Sequence, residues 1–90
     1  MTLNIKGRVQ KVGFRYSVAD FVMESNLSLT GYVKNLSDGS VEVLAEGTLE
    51  ELKELHRFCQ KGPPRSEVRS IDQDLHPLDK RTYQSFVILD

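Results

Sequence analysis

The apolar residues change their spacing abruptly at residues 10–13, and that change constrains the chain more than any other single feature. Leu3, Ile5, Gly7 and Val9 alternate with polar neighbours, the period of a half-buried strand. Gln10 to Gly13 interrupt the alternation. From Phe14 the period becomes helical: Phe14, Val18, Phe21 and Val22 share one face, while Asp20 and Glu24 lie off it. Asn26 suits the helix end. The opening of the chain therefore reads as strand, short turn and helix.

The rest repeats this grammar. Leu29, Gly31 and Val33 predict a second strand closing at Asn35, and Ser37-Asp38-Gly39 is a turn signal before a third alternating run of Val41, Val43 and Ala45. These two strands are expected to form a hairpin. Thr48 and Glu51 have capping-box spacing ahead of Leu52, Leu55, Phe58 and Cys59, the buried stripe of a second helix. Gly62-Pro63-Pro64 ends it, because glycine accepts left-handed geometry and proline cannot continue a helix. Val68 to Leu75 reads as a fourth strand with an irregularity suggesting a bulge, Leu78 to Gln84 as a polar connection, and Ser85 to Leu89 as a closing strand. The order βαββαβ plus one strand predicts an α+β fold: a ferredoxin-like sandwich, two helices on an antiparallel sheet with an extra C-terminal strand, residues 1–90 forming a single domain. That fold hosts many activities and decides none of them.

Composition narrows the function classes. Ninety residues bury one modest core. Apolar residues are 39% and charged residues 28%, the balance of a globule rather than a disordered tail. No apolar run approaches the ~20 residues of a membrane span, and MTLNIKGRVQK has no apolar signal region, so the expectation is a cytoplasmic protein without a membrane partner. The lone Cys59 has no disulfide partner, and two histidines, His56 and His76, do not make a metal cage; neither metal nor cofactor is expected. The net charge of −1 hides an asymmetry: Lys6, Arg8, Lys11 and Arg15 precede the first acid, Asp20. Such a segment suits an anion, although basic residues on a solvated strand edge have the same composition.

The turn Gln10-Lys11-Val12-Gly13-Phe14-Arg15 is where chemistry is expected. A helix that starts here exposes unpaired amides and a partial positive charge, and a cation in the first turn is disfavoured by roughly 0.3–1 kcal/mol unless an anion sits between the two. Phosphate or sulfate suits both donors, since a guanidinium binds it bidentately while a concave run of amides takes the other oxygens. An arginine near a helix start is also often merely structural. Asn35, at a strand end, can orient a water by donating and accepting together, or can be an ordinary turn residue.

The run Ile5-Lys6-Gly7-Arg8-Val9-Gln10-Lys11-Val12-Gly13-Phe14-Arg15 resembles the first signature of the acylphosphatase family, whose core reads G-x-V-Q-G-V-x-F-R. Gly31-Tyr32-Val33-Lys34-Asn35, followed by Gly39, Val41 and Gly47, is similar to the second. The resemblance implies metal-independent hydrolysis of a small-molecule acyl phosphate to a carboxylate and phosphate. It implies that Arg15 grips the phosphoryl group, that the amides of Gln10, Lys11, Val12, Gly13, Phe14 and Arg15 complete a cradle, and that Asn35 positions the attacking water. The substrate's own phosphate oxygens would take the water's proton, which accords with the lack of any histidine, carboxylate or cysteine in the turn.

One position departs from the family pattern: the glycine after Val-Gln is Lys11 here. If that position requires a positive φ, lysine costs about 1–2 kcal/mol in strain, and its charge at the rim would hold product phosphate more tightly. A catalytically impaired phosphate-binding or regulatory domain is therefore the alternative reading. Nucleic acid is not an expected partner: Leu3, Ile5, Val41 and Val43 on the expected central strands offer no stacking aromatic, and the net charge has the wrong sign. Phe21 and Phe58 are assigned to the core, Cys59 to a small buried filler, and Lys61 to Arg65 to a solvated turn. Tyr32 is left between lining the acyl side of the substrate and covering the sheet. A monomer is expected.

Overall fold

The computed structural model describes residues 1–77 and 79–90. Its elements are β1 (Thr2–Arg8), α1 (Phe14–Glu24), β2 (Thr30–Asn35), β3 (Val41–Glu46), α2 (Leu49–Lys61), β4 (Glu67–Asp74) and β5 (Phe86–Leu89). The sheet order is β4-β1-β3-β2-β5. The first four strands pair antiparallel, whereas β5 pairs parallel with β2, so the extra strand makes the sheet mixed rather than wholly antiparallel. The start of the expected polar connection at Leu78 lies outside the described residues.

Both helices lie on one face of the sheet, and the period-two residues beneath them are fully buried. Leu3 and Ile5 of β1, Val33 of β2, and Val41 and Val43 of β3 have no exposed surface, and they meet Phe14 and Val18 of α1 and Leu55 and Cys59 of α2. Phe21 stacks on Phe58 at 4.4 Å between ring centroids, which joins the two helices. Because Leu3, Ile5, Val41 and Val43 face the helices, the open face of β1 and β3 is carried instead by Asn4, Lys6, Glu42 and Leu44, again without an aromatic. Tyr32 belongs to that open face: its hydroxyl donates to Glu42 at 2.8 Å and its ring meets Tyr83 edge-on. Burial, reinforced by the Glu42 carboxylate, pushes its phenol up to about 12. Tyr32 thus covers the sheet.

The helix ends follow local chemistry. At the close of α1, Asn26 takes φ 54°, Leu27 N–H donates to Val22 and Asn26 N–H to Met23, a Schellman stop that sets the helix end two residues before Asn26. For α2 the capping box forms as read: Glu51 N–H donates to Thr48 Oγ1 and Thr48 N–H to Glu51 Oε1. Glu51 also accepts from Ser28 N–H at 2.7 Å, which fastens α2 to the segment entering β2.

The irregularity of the fourth strand is a bulge. Ser70 opposes Lys6 and Val68 opposes Gly7, leaving Arg69 unmatched on β4. Gly7, at φ 133°, is required there, because a Cβ would run into the Glu67 carbonyl. The bend falls just before the β1–α1 turn.

Candidate phosphate-binding site

The β1–α1 turn is built so that its side chains leave and its amides stay. Phe14 is 2% exposed within the core and so points away from any ligand, and Val12 packs partly against the same core. Their contribution to a site is their backbone. Lys11 (φ 62°) and Gly13 (φ 78°) both take positive φ on either side of Val12, the alternation of hand by which successive backbone N–H groups form an anion-binding nest. Gly13 is the N-cap of α1 and supplies no side-chain acceptor; the first helical hydrogen bond runs from Ser17 N–H to Gly13 C=O at 2.9 Å. Among the described residues, the amides of Lys11, Val12 and Gly13 donate to no acceptor. The first turn of a helix likewise leaves those of Phe14, Arg15 and Tyr16 without an intrahelical partner. The result is a concave run of amides at the positive end of a helix dipole.

Arg15 is held across the top of this turn. Its Nη1 donates to the Leu89 carbonyl at 2.9 Å and lies 3.5 Å from the Asp90 carboxylate, with about a quarter (23%) of the side chain exposed. Leu89 opposes Lys34 in the parallel β5–β2 pairing, and Asn35 is the next residue of β2. On the opposite side, the Gln10 side-chain amide donates to the carbonyls of Leu36 and Ser40, both at 2.8 Å, which frame the hairpin turn immediately after Asn35. Arg15 and Gln10 therefore both reach the end of β2 that bears Asn35, one through β5 and the other through the β2–β3 turn. Asn35 is half-buried, opposes Val41 in register, and its side chain makes no hydrogen bond among the described residues.

Gln10 thus has two parts: its backbone amide belongs to the turn, while its side chain is spent on the hairpin and is a tie rather than a ligand. The hairpin turn is also braced by its own hydrogen bonds. Asp38 accepts from Ser40 N–H at 3.0 Å and from its hydroxyl at 2.6 Å, and these bonds hold the Asp38 carboxyl below the usual range. The Leu89 tether of Arg15 has no sequence signal, because a backbone carbonyl is the same for every residue.

Other flagged residues lie elsewhere. His56 sits half-buried on α2, and His76 Nδ1 lies 3.4 Å from Asp74. Cys59 is fully buried and burial pushes its thiol up to about 12, which suits a filler and not a nucleophile. Glu46, 3% exposed, was not singled out in the sequence. Burial alone would raise its pKa, but the amides of Tyr83 and Thr82 and the hydroxyl of Thr30 outweigh that and hold it below its ordinary value. It anchors the segment entering β5, and so the strand that holds Arg15.

The Acylphosphatase family profile matches residues 1–88. The chain is 45% identical over 85 residues to an acylphosphatase of Vibrio cholerae, covering 94% of this chain and 90% of that one. It is 48% identical over 67 residues to an acylphosphatase of Trichormus variabilis, covering 74% of this chain but only 64% of that relative's length. The crystal structure of acylphosphatase from Bacillus subtilis superposes with a TM-score of 0.85 at 36% identity, covering 99% of this chain and 96% of that one.

Proposed function

The chain belongs to the acylphosphatase family, and from that premise we propose that it hydrolyses the carboxyl–phosphate bond of small acyl phosphates, releasing a carboxylate and inorganic phosphate. The observation that carries the reading is the unpaired amide run of residues 11–13 continuing into the first turn of α1, with the Arg15 guanidinium tethered beside it.

In this reading the phosphoryl oxygens replace water on the turn amides, while free N–H groups of the Arg15 guanidinium bind a further oxygen. The Leu89 carbonyl engages only Nη1, so the fork keeps donors for the ligand. Asn35 donates to, or accepts from, a water held in line with the bond to be broken. The water oxygen attacks phosphorus, the carboxylate leaves with the bonding pair, and the water's proton passes to a nonbridging phosphate oxygen. A carboxylate is a good leaving group, so the protein need supply little acid catalysis. Positioning and stabilisation of equatorial charge carry most of the barrier reduction. Gln10 acts as a positioning residue, holding the hairpin that bears Asn35 against the cradle.

The protein is further proposed to act as a monomer in the cytoplasm. An unpaired thiol is ordinary in that compartment, and the charged residues, 28% of the chain, suit a single copy in solution. No helix among the described residues is long and apolar enough to cross a membrane. Size-exclusion chromatography with light scattering tests the first point, and fractionation of expressing cells the second.

The activity is tested by continuous hydrolysis of benzoyl phosphate in the presence of EDTA, wild type beside Arg15→Ala. Turnover of the wild type, undiminished by the chelator and lost in the variant, is the expected result. Phosphate binding without any release from benzoyl phosphate would instead support a non-hydrolysing phosphate-binding domain.

A further inference from the structure

Beside the cradle loop, on the β4 side of the sheet, lies a depression of about 390 Å³ lined by Arg8, Gln10, Lys11, Val12 and Arg65. Three of these five side chains are cationic and none is acidic. Each of the three is exposed, and none forms an ion pair among the described residues. The carboxylate best placed to neutralise them is Glu67, opposite Arg8 in the β1–β4 register, but Glu67 gives its oxygen to Arg69 Nε at 2.9 Å. Lys6, the other cation of β1, is by contrast paired with Asp72 at 3.0 Å. The cations therefore separate into one that is neutralised on the open face and three left uncompensated around one concavity.

Two features link that concavity to the chemistry. Gln10, Lys11 and Val12 belong both to its wall and to the turn proposed above to bind the phosphoryl group, so a ligand seated in that turn has this depression at its edge. Lys11 is moreover held at φ 62°, a conformation that disfavours an L side chain. Arg65, in the loop between α2 and β4, joins them from the far side of the domain's sequence.

We infer that the depression is an anion subsite, and that the acyl phosphates this protein handles best carry a second anionic group on the acyl side. The inference rests on the acylphosphatase reading for its orientation: the phosphoryl group occupies the amide cradle, and the acyl chain extends past Lys11 toward Arg8 and Arg65. A neutral acyl group gains nothing there, whereas a carboxylate or phosphate meets three cations that form no ion pair among the described residues.

The test uses nonhydrolysable probes, so that binding is read apart from turnover. Benzylphosphonate and its 4-carboxy derivative are titrated calorimetrically into the wild type, Arg65→Ala and Arg8→Ala. At low ionic strength the wild type should bind the carboxylated probe about three- to tenfold more tightly than the parent, the scale of a few solvent-exposed charge contacts. The preference should fade in about 0.5 M salt, where the Debye length drops below the contact range. Each variant should lose at least half of the preference while binding benzylphosphonate within about twofold of wild type. A bisphosphonate, 1,4-bis(phosphonomethyl)benzene, distinguishes phosphoryl from carboxylate as the favoured second anion. Equal affinity of the wild type for the parent and carboxylated probes, no measurable binding of either, or a preference unchanged in both variants would overturn the subsite. Failure to hydrolyse benzoyl phosphate with the preference intact would count against the enzymatic reading alone.

Discussion

Replacing Lys11 by glycine should stabilise the fold, although it removes a side chain and adds no contact. Lys11 takes φ 62°, and an L residue in the left-handed region loses about 1–2 kcal/mol to the clash of its Cβ with the following carbonyl. Glycine removes that strain but frees the unfolded chain, which costs about 0.4–1 kcal/mol in return. The net expectation is a gain of about 0.5–1 kcal/mol, which for a domain of this size is a rise of about 2–8 °C in Tm. Lys11→Ala is the decisive control, because it removes the same charge from among Arg8, Arg15 and Arg65 yet keeps the Cβ. Thermal and urea unfolding of the three proteins, at equal ionic strength, should place Lys11→Gly above both others. If Lys11→Ala gained as much as Lys11→Gly, relief of charge repulsion would be the cause. If Lys11→Gly gained nothing, the backbone at this position would not be strained.

The same substitution should weaken inhibition by product phosphate and raise turnover of benzoyl phosphate, read from steady-state kinetics with added inorganic phosphate. Arg15→Ala and Asn35→Ala should each lower kcat/KM for benzoyl phosphate by about a hundredfold or more, the loss seen when a transition-state donor is removed; far-UV dichroism should be unchanged. Gln10→Ala gives up both side-chain bonds to the hairpin. Each carbonyl keeps a backbone donor, Gly39 for Leu36 and Leu36 for Ser40, so the expected cost is about 1–2 kcal/mol in urea unfolding, with a fall in kcat larger than any rise in KM. The Glu46 carboxyl titrates below its ordinary value of 4.5 in the folded protein, so the unfolded chain takes up its proton first. Its stabilisation is complete above about pH 5 and is lost as pH falls through the folded-state pKa. Glu51 and Asp38 add in the same direction. Glu46→Gln should therefore flatten the acid limb of a stability–pH curve measured between about pH 3 and 6.

Much of the architecture was legible because local and global signals agreed. The switch of period at Gln10–Gly13 marks the β1–α1 turn, Thr48 and Glu51 mark the start of α2, and Gly62-Pro63 its end. The parallel pairing of β5 with β2 was not legible, since a short run such as Phe86–Leu89 carries no record of which edge it joins or in which direction. At the site, Arg15 and Asn35 could be named from their motifs, but what brings the β1–α1 turn to the end of β2 that bears Asn35 is the reach of Arg15 to Leu89 and of Gln10 across 26 residues to Leu36 and 30 to Ser40. Glu46 was hidden among alternating residues of β3, because a buried carboxylate depends on donors brought from Thr82 and Tyr83. The strain at Lys11 was visible only as a departure from a family pattern, and its φ required the structure.

The central claim is that the amides entering α1, together with Arg15, enclose a phosphoryl group. Titration of inorganic phosphate into ¹⁵N-labelled protein, followed by amide and Arg15 side-chain resonances, tests it most directly. Saturable shifts concentrated at Lys11 to Arg15, at the Arg15 Nε–H and at Asn35 are the predicted result. Shifts confined to other surfaces, or a saturating response that leaves these resonances unmoved, would contradict it.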